Sequence, residues 1–201
     1  VNQKKAYLLL ELADDNDGYV SVEDAKLHGI EQTYLVEEEK QGLFKKVAKG
    51  LYLRTGYEED RYYITHFIYK KAVYARRSCA ILHGLIEEDG KVPMINLPAN
   101  YMTGGIDGAS CRHVGKKELE TGVSLVVSPS GNLVLGYDIE RVFIDALRYP
   151  SDYSQKELES LIKKALNQGL DQSKTDAYAS LFGVGPVLRF ALAIFQKESR
   201  P

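Results

Sequence analysis

The sequence predicts an α+β protein in two parts. Three short helical patterns and a β-prone hairpin fill the first 55 residues, four strand-like runs occupy the middle, and helical stretches close the chain. Ala6, Leu9, Leu10 and Ala13 fall at helical spacing, so a first helix is expected over about Gln3–Ala13, ending in the turn cluster Asp14–Gly18. Ser21 followed by Asp24 resembles a cap, and the short helix it opens should stop at Gly29, which can adopt the left-handed conformation of a tight turn. A third helix runs from Glu31 to Gly42. Leu43–Val47 and Leu51–Leu53 then read as strands joined by Ala48-Lys49-Gly50. Two helices, a turn, a helix and a hairpin make a winged helix-turn-helix, expected to occupy residues 1–57.

Residues 58–201 are expected to form an α/β domain with a small mixed sheet and C-terminal helices. Arg61–Lys71 is helical, Ala72–Ala75 is β-prone, and Ser78–His83 is a helix up to Gly84. Met94–Leu97, Ser110–Val114, Ser124–Val127 and Leu133–Tyr137 are strands, separated by Pro98, Gly104-Gly105, Gly122 and Pro129–Asn132. Asp138 caps a helix Ile139–Arg148, and Ser154 with Glu157 forms a capping box for Gln155–Asn167. Helices around Ser173–Phe182 and Pro186–Lys197 follow.

Composition narrows the class. With 201 residues, 44% hydrophobic and 27% charged, the chain is neither disordered nor collagenous. Two cysteines do not make a disulfide framework, and no apolar run approaches the roughly 20 residues needed to span a bilayer, so a reducing, cytoplasmic setting away from membranes is expected.

The net charge of −2 hides segregation. Glu11–Glu39 carries ten carboxylates against Lys26 alone, whereas Leu43–Arg54 has Lys45, Lys46, Lys49 and Arg54 with no acid, and Arg61–Ile86 has five basic residues with none. Positive charge therefore sits on the wing, where Lys45, Lys46, Lys49 and Arg54 are the candidates for binding DNA phosphates; exposed solubilising charge is the plainer reading. Residues at the start of a recognition helix meet base edges, which makes Gln32, Thr33 and Tyr34 the readout candidates, although Tyr34 next to Leu35 also suits a core position. Glu37, Glu38 and Glu39 are unusual on a helix facing a polyanion and are expected to point away from the duplex. Arg61–Arg77 reads either as added nucleic-acid surface or, more simply, as an aromatic seam with a solvated basic face.

Other chemistry is weaker. Cys79, His83, Cys111 and His113 are a conceivable zinc set without the compact spacing of zinc modules. Asp138, Glu140 and Asp145 resemble a magnesium-binding carboxylate group, but capping and ion pairing explain them without catalysis. No phosphate-binding loop, serine elbow or metalloprotease motif is present. No cofactor or metal is expected.

Lys49-Gly50-Leu51-Tyr52, Ser78-Cys79-Ala80-Ile81-Leu82-His83-Gly84-Leu85 and the run Tyr137–Arg148, in this order behind a winged helix, resemble the AbiEi antitoxins of abortive-infection systems. The resemblance covers about Ala6–Arg148 and weakens beyond. It implies a non-enzymatic type IV antitoxin whose winged helix binds inverted repeats of operator DNA and represses its own operon. It also implies a C-terminal domain that counteracts a nucleotidyltransferase-like toxin without a stable complex. A monomer or weak dimer binding DNA cooperatively is expected. Two departures stand out: Ala75 precedes the Ser78–Leu85 helix where relatives often place Ser, and the recognition helix ends in glutamates. The alternative is a metal-dependent nucleic-acid or nucleotide-processing enzyme using Asp138–Asp145, with the winged helix as recruiter; a third reading is a protein-interaction module whose acidic third helix meets a basic partner.

Overall fold

The structure, a computed structural model, describes residues 2–101 and 108–198. It divides into two compact units: residues 1–70 with the turn Ser128–Asn132, and residues 71–127 with 133–201. The expected turn at Gly104-Gly105 lies outside the described residues.

The first unit contains α1 (Asn2–Asp14), β1 (Tyr19–Ser21), α2 (Val22–Leu27), α3 (Gln32–Lys40), β2 (Phe44–Ala48), β3 (Leu51–Arg54) and α4 (Arg61–Ile68). The Ser21 hydroxyl accepts from the Asp24 amide at 2.9 Å and so starts α2. Gly29 and Gly42, at φ of 73° and 80°, close α2 and α3 in the left-handed region. The short strand β1 was not anticipated. It completes an antiparallel sheet in the order β1-β3-β2, with Val20 opposite Tyr52 and a bulge between Lys46 and Ala48.

Strand alternation gives this sheet two buried faces. Val20 and Tyr52 join Leu9, Ala13, Ala25, Ile30, Leu35 and Phe44 in the core beneath the three helices. Tyr19, Leu51 and Leu53 point the other way, onto Tyr63, Ile64 and Phe67 of α4. That second face is why the unit extends to Lys70, past the boundary expected after residue 57. Asp60, almost fully buried, caps α4 by accepting from the Tyr62 and Tyr63 amides at 2.9 and 3.2 Å. Its carboxylate also accepts from Ser128 Oγ and, at 2.8 Å, from Asn132 Nδ2, which fixes the Ser128–Asn132 turn within this unit. Burial pushes the neighbouring Tyr19 hydroxyl up to about 12.

The second unit contains β4 (Val73–Tyr74), α5 (Arg76–Leu82), β5 (Met94–Pro98), β6 (Ser110–Val114), α6 (Lys116–Glu120), β7 (Val123–Val127), β8 (Leu133–Tyr137), α7 (Ile139–Arg148), a 3-10 turn Pro150–Asp152, α8 (Gln155–Gln168), α9 (Gln172–Leu181) and α10 (Gly185–Glu198). The middle of the chain, expected as one small sheet, forms two. In one, β4 is antiparallel and β6 parallel to β5; the other is the hairpin β7-β8. The unforeseen α6 separates β6 from β7, whose ladder partner is β8. The long-range organiser is α7, in which Glu140 through Ala146 are all buried. Helix α5 begins at Ala75 without a side-chain cap, with Arg76 strained at φ 48°, while Ser78 Oγ accepts from the Met94 amide at 2.7 Å.

The Ser154–Glu157 capping box forms as expected, and Glu157 also accepts from Arg77 Nη2 at 2.5 Å. The Arg77 guanidinium, with the capping hydrogen bonds, holds the Glu157 carboxyl down to about 2. A depressed folded-state value stabilises fully above the ordinary carboxylate range and is lost as pH falls toward 2. Glu157→Gln should therefore lower stability at pH 7 by on the order of 1–2 kcal/mol and flatten its decline between about pH 4.5 and 2. Urea midpoints measured across that range check both.

Candidate DNA-binding surface

Helix α3 is phased by what it buries. Leu35 enters the core and Glu38 is 8% exposed, which turns Gln32, Thr33, Glu37 and Lys40 to solvent. These four share one shallow depression with the partly buried Val36. Of the three glutamates expected to point away, Glu38 does so by burial and Glu39 is partly covered, but Glu37 lies on the same face as Gln32 and Thr33. Helical spacing is the reason, since residues 33 and 37 are one turn apart.

The expected site residues divide. Gln32 and Thr33 open α3, and both are exposed. Tyr34 packs against the core cluster, with Lys5 Nζ 4.2 Å from its ring centroid. On the wing, Lys46 and Lys49 are exposed and make no ion pair among the described residues. Lys45 is paired with Glu59, and Arg54 with Asp14, which also accepts from the Tyr57 hydroxyl at 2.8 Å. The Tyr57 hydrogen bond, and then Arg54, hold the Asp14 carboxyl below its ordinary range.

A second hollow adjoins this surface, bringing together Val22 and Glu23, Gln32, the wing turn Lys49-Gly50 and the end of α4. Lys70, one of the five basic residues of the acid-free Arg61–Ile86 segment, lines it too, 3.0 Å from Glu23. The assembled face thus presents amide, hydroxyl, apolar and carboxylate groups on α3, flanked by lysines of the wing. Such a face can hydrogen-bond base edges while the lysines hold phosphates.

The carboxylates of the competing reading are engaged within the second unit. Asp138 accepts from the Arg141 amide at 3.0 Å, from Tyr178 Oη at 3.0 Å and from Lys174 Nζ at 3.3 Å. Glu140 accepts from the Asp171 amide at 2.9 Å. Asp145 pairs with Arg141 Nε at 3.1 Å and Arg148 Nη1 at 2.9 Å. Among the described residues, no cluster of three or more His, Cys, Asp or Glu is placed to hold a metal. Cys79 is buried with its sulfur on the Tyr137 backbone, burial pushes its thiol up to about 12, and His83 Nε2 lies 2.7 Å from the Tyr137 carbonyl. The Cys111 sulfur is 4.0 Å from His113 Nδ1. Arg76, Arg112 and Arg148 gather around the Tyr149 ring, but Arg76 is paired with Asp152 and Arg148 with Asp145 and Glu118.

The α1–β1–α2–α3–β2–β3 order, with β1 completing the sheet of the wing, defines the first unit as a winged helix-turn-helix. Residues 7–55, within the N-terminal unit, match the AbiEi_4 family model, described as "Transcriptional regulator, AbiEi antitoxin". No curated protein matches the sequence. Among solved structures, the chain is similar to the crystal structure of the RV2827C protein from Mycobacterium tuberculosis at 15% identity, with a TM-score of 0.60 over 86% of this chain and 70% of that one. At that identity the likeness shows the fold. No helix among the described residues is long and apolar enough to cross a membrane.

Proposed function

We propose that the protein is the antitoxin of a type IV abortive-infection system and the repressor of its own operon. Gln32 and Thr33 read operator bases, Lys46 and Lys49 hold the flanking phosphates, and Lys45 and Arg54 add charge once released from Glu59 and Asp14. The observation that carries the reading is the exposed α3 stripe beside two wing lysines that no described acid pairs, on the segment that matches the regulator family. In this reading two copies, monomeric or weakly dimeric in solution, bind an inverted repeat cooperatively. The second unit counteracts a nucleotidyltransferase-like toxin in the cytoplasm without a stable complex and without catalysis of its own. The engagement of Asp138, Glu140 and Asp145 in caps and ion pairs supports the non-enzymatic part.

Fluorescence anisotropy with the full chain tests the DNA part. The duplex upstream of its own gene should bind roughly a thousandfold or more tighter than a shuffled duplex at physiological salt. Equal affinities would remove the repressor role.

A further inference from the structure

We infer that Glu37 is a specificity residue that reads a cytosine in each operator half-site. The inference rests on the winged-helix reading above. Glu37 is the sixth residue of α3, exposed, and shares its depression with Gln32, Thr33, Val36 and Lys40. Among the described residues it makes no ion pair. The unit around it has ten basic and thirteen acidic residues, so it has little positive charge to spare against a polyanion.

A carboxylate on the face that enters the groove repels phosphates and accepts hydrogen bonds only. That restricts what it can meet. Guanine presents two acceptors in the major groove, N7 and O6, and thymine presents O4 and a methyl group. Adenine sets an acceptor, N7, beside its amino donor, whereas cytosine offers the N4 amino group alone. The cytosine edge therefore pairs with Glu37 without a repelling neighbour from the same base. Lys40, one turn further along the same depression, offsets part of the carboxylate's repulsion from the backbone. The glutamate thus lowers affinity for DNA in general and favours duplexes that place a cytosine beneath it.

Selection of the full chain on a random duplex pool tests this, with wild type, Glu37→Gln and Glu37→Ala compared at one salt concentration. Wild type should enrich sites with a cytosine at one fixed position per half-site. Glu37→Gln should move that position to adenine, because an amide pairs bidentately with adenine N6 and N7. Glu37→Ala should lose the preference there, by roughly 5- to 150-fold in relative binding, and leave other positions unchanged. Both variants should bind non-operator duplex more tightly than wild type. Identical consensus sites for all three proteins would overturn the inference while leaving the winged-helix reading standing. If wild type enriches no sequence, the reading and the inference fail together.

Discussion

Arg141→Ala is expected to unfold the second unit. Arg141 is fully buried, its guanidinium lying 4.4 Å from the Tyr137 ring centroid and 4.1 Å from that of Phe182. Nε pairs with Asp145, itself 1% exposed, and Nη1 donates to the Glu118 and Thr121 carbonyls at 3.1 and 2.9 Å. Truncation leaves the Asp145 carboxylate buried with Arg148 alone, removes a donor from the Thr121 carbonyl, leaves the Glu118 carbonyl only the 3.5 Å contact of the Tyr137 hydroxyl, and opens a cavity between two rings. Removing one partner of a buried pair costs about 3–5 kcal/mol, a large share of the 5–15 kcal/mol that holds a domain folded. Arg141→Lys should recover little, because a compact ammonium neither fills the slot between the rings nor reaches three acceptors in a planar fork. Urea unfolding followed by tyrosine fluorescence, convenient in a chain with 14 tyrosines and no tryptophan, checks both variants. An unchanged midpoint for Arg141→Ala would contradict the role given to α7.

The second large effect concerns DNA. Replacing Lys46 and Lys49 together by alanine should lower the log–log dependence of binding on salt by about 1.8, at about 0.9 for each phosphate the wing no longer neutralises. Between 50 and 200 mM salt, wild type should then lose about tenfold more affinity than the double variant. Operator and unrelated duplex should be affected alike, since these lysines meet the backbone. Lys45→Ala and Arg54→Ala should change the slope less, because each cation is already balanced by Glu59 or Asp14. Equal slopes for wild type and the double variant would detach the wing from the DNA.

Local chemistry was legible in the sequence at three helix starts, while the equally local caps at Asp60 and Asp171 went unread. The caps at Ser21, Asp138 and Ser154 are local hydrogen bonds, and each forms at the residue read as the cap. What else escaped depends on residues far apart in the chain. The strand β1 is three residues long and exists through its ladder with β3, some thirty residues away. The extent of the first unit depends on Tyr63, Ile64 and Phe67 finding the back of a sheet whose second face the strand pattern alone did not reveal. On the candidate site, Gln32 and Thr33 were readable from their place at a helix start. The pairing of Arg54 with Asp14 spans 40 residues, and that of Lys45 with Glu59 spans 14. Glu37 and Glu38 are chemically identical neighbours, separated only by the phase that Leu35 imposes on the helix.

The most direct test is an amide chemical-shift titration of the 15N-labelled full chain with the duplex from its own promoter. Residues 32, 33, 36, 37 and 40 of α3 and residues 45–50 of the wing should shift together and most strongly, saturating at one protein per half-site. Shifts confined to residues 71–198, with α3 and the wing unmoved at saturating duplex, would contradict DNA binding by the winged helix.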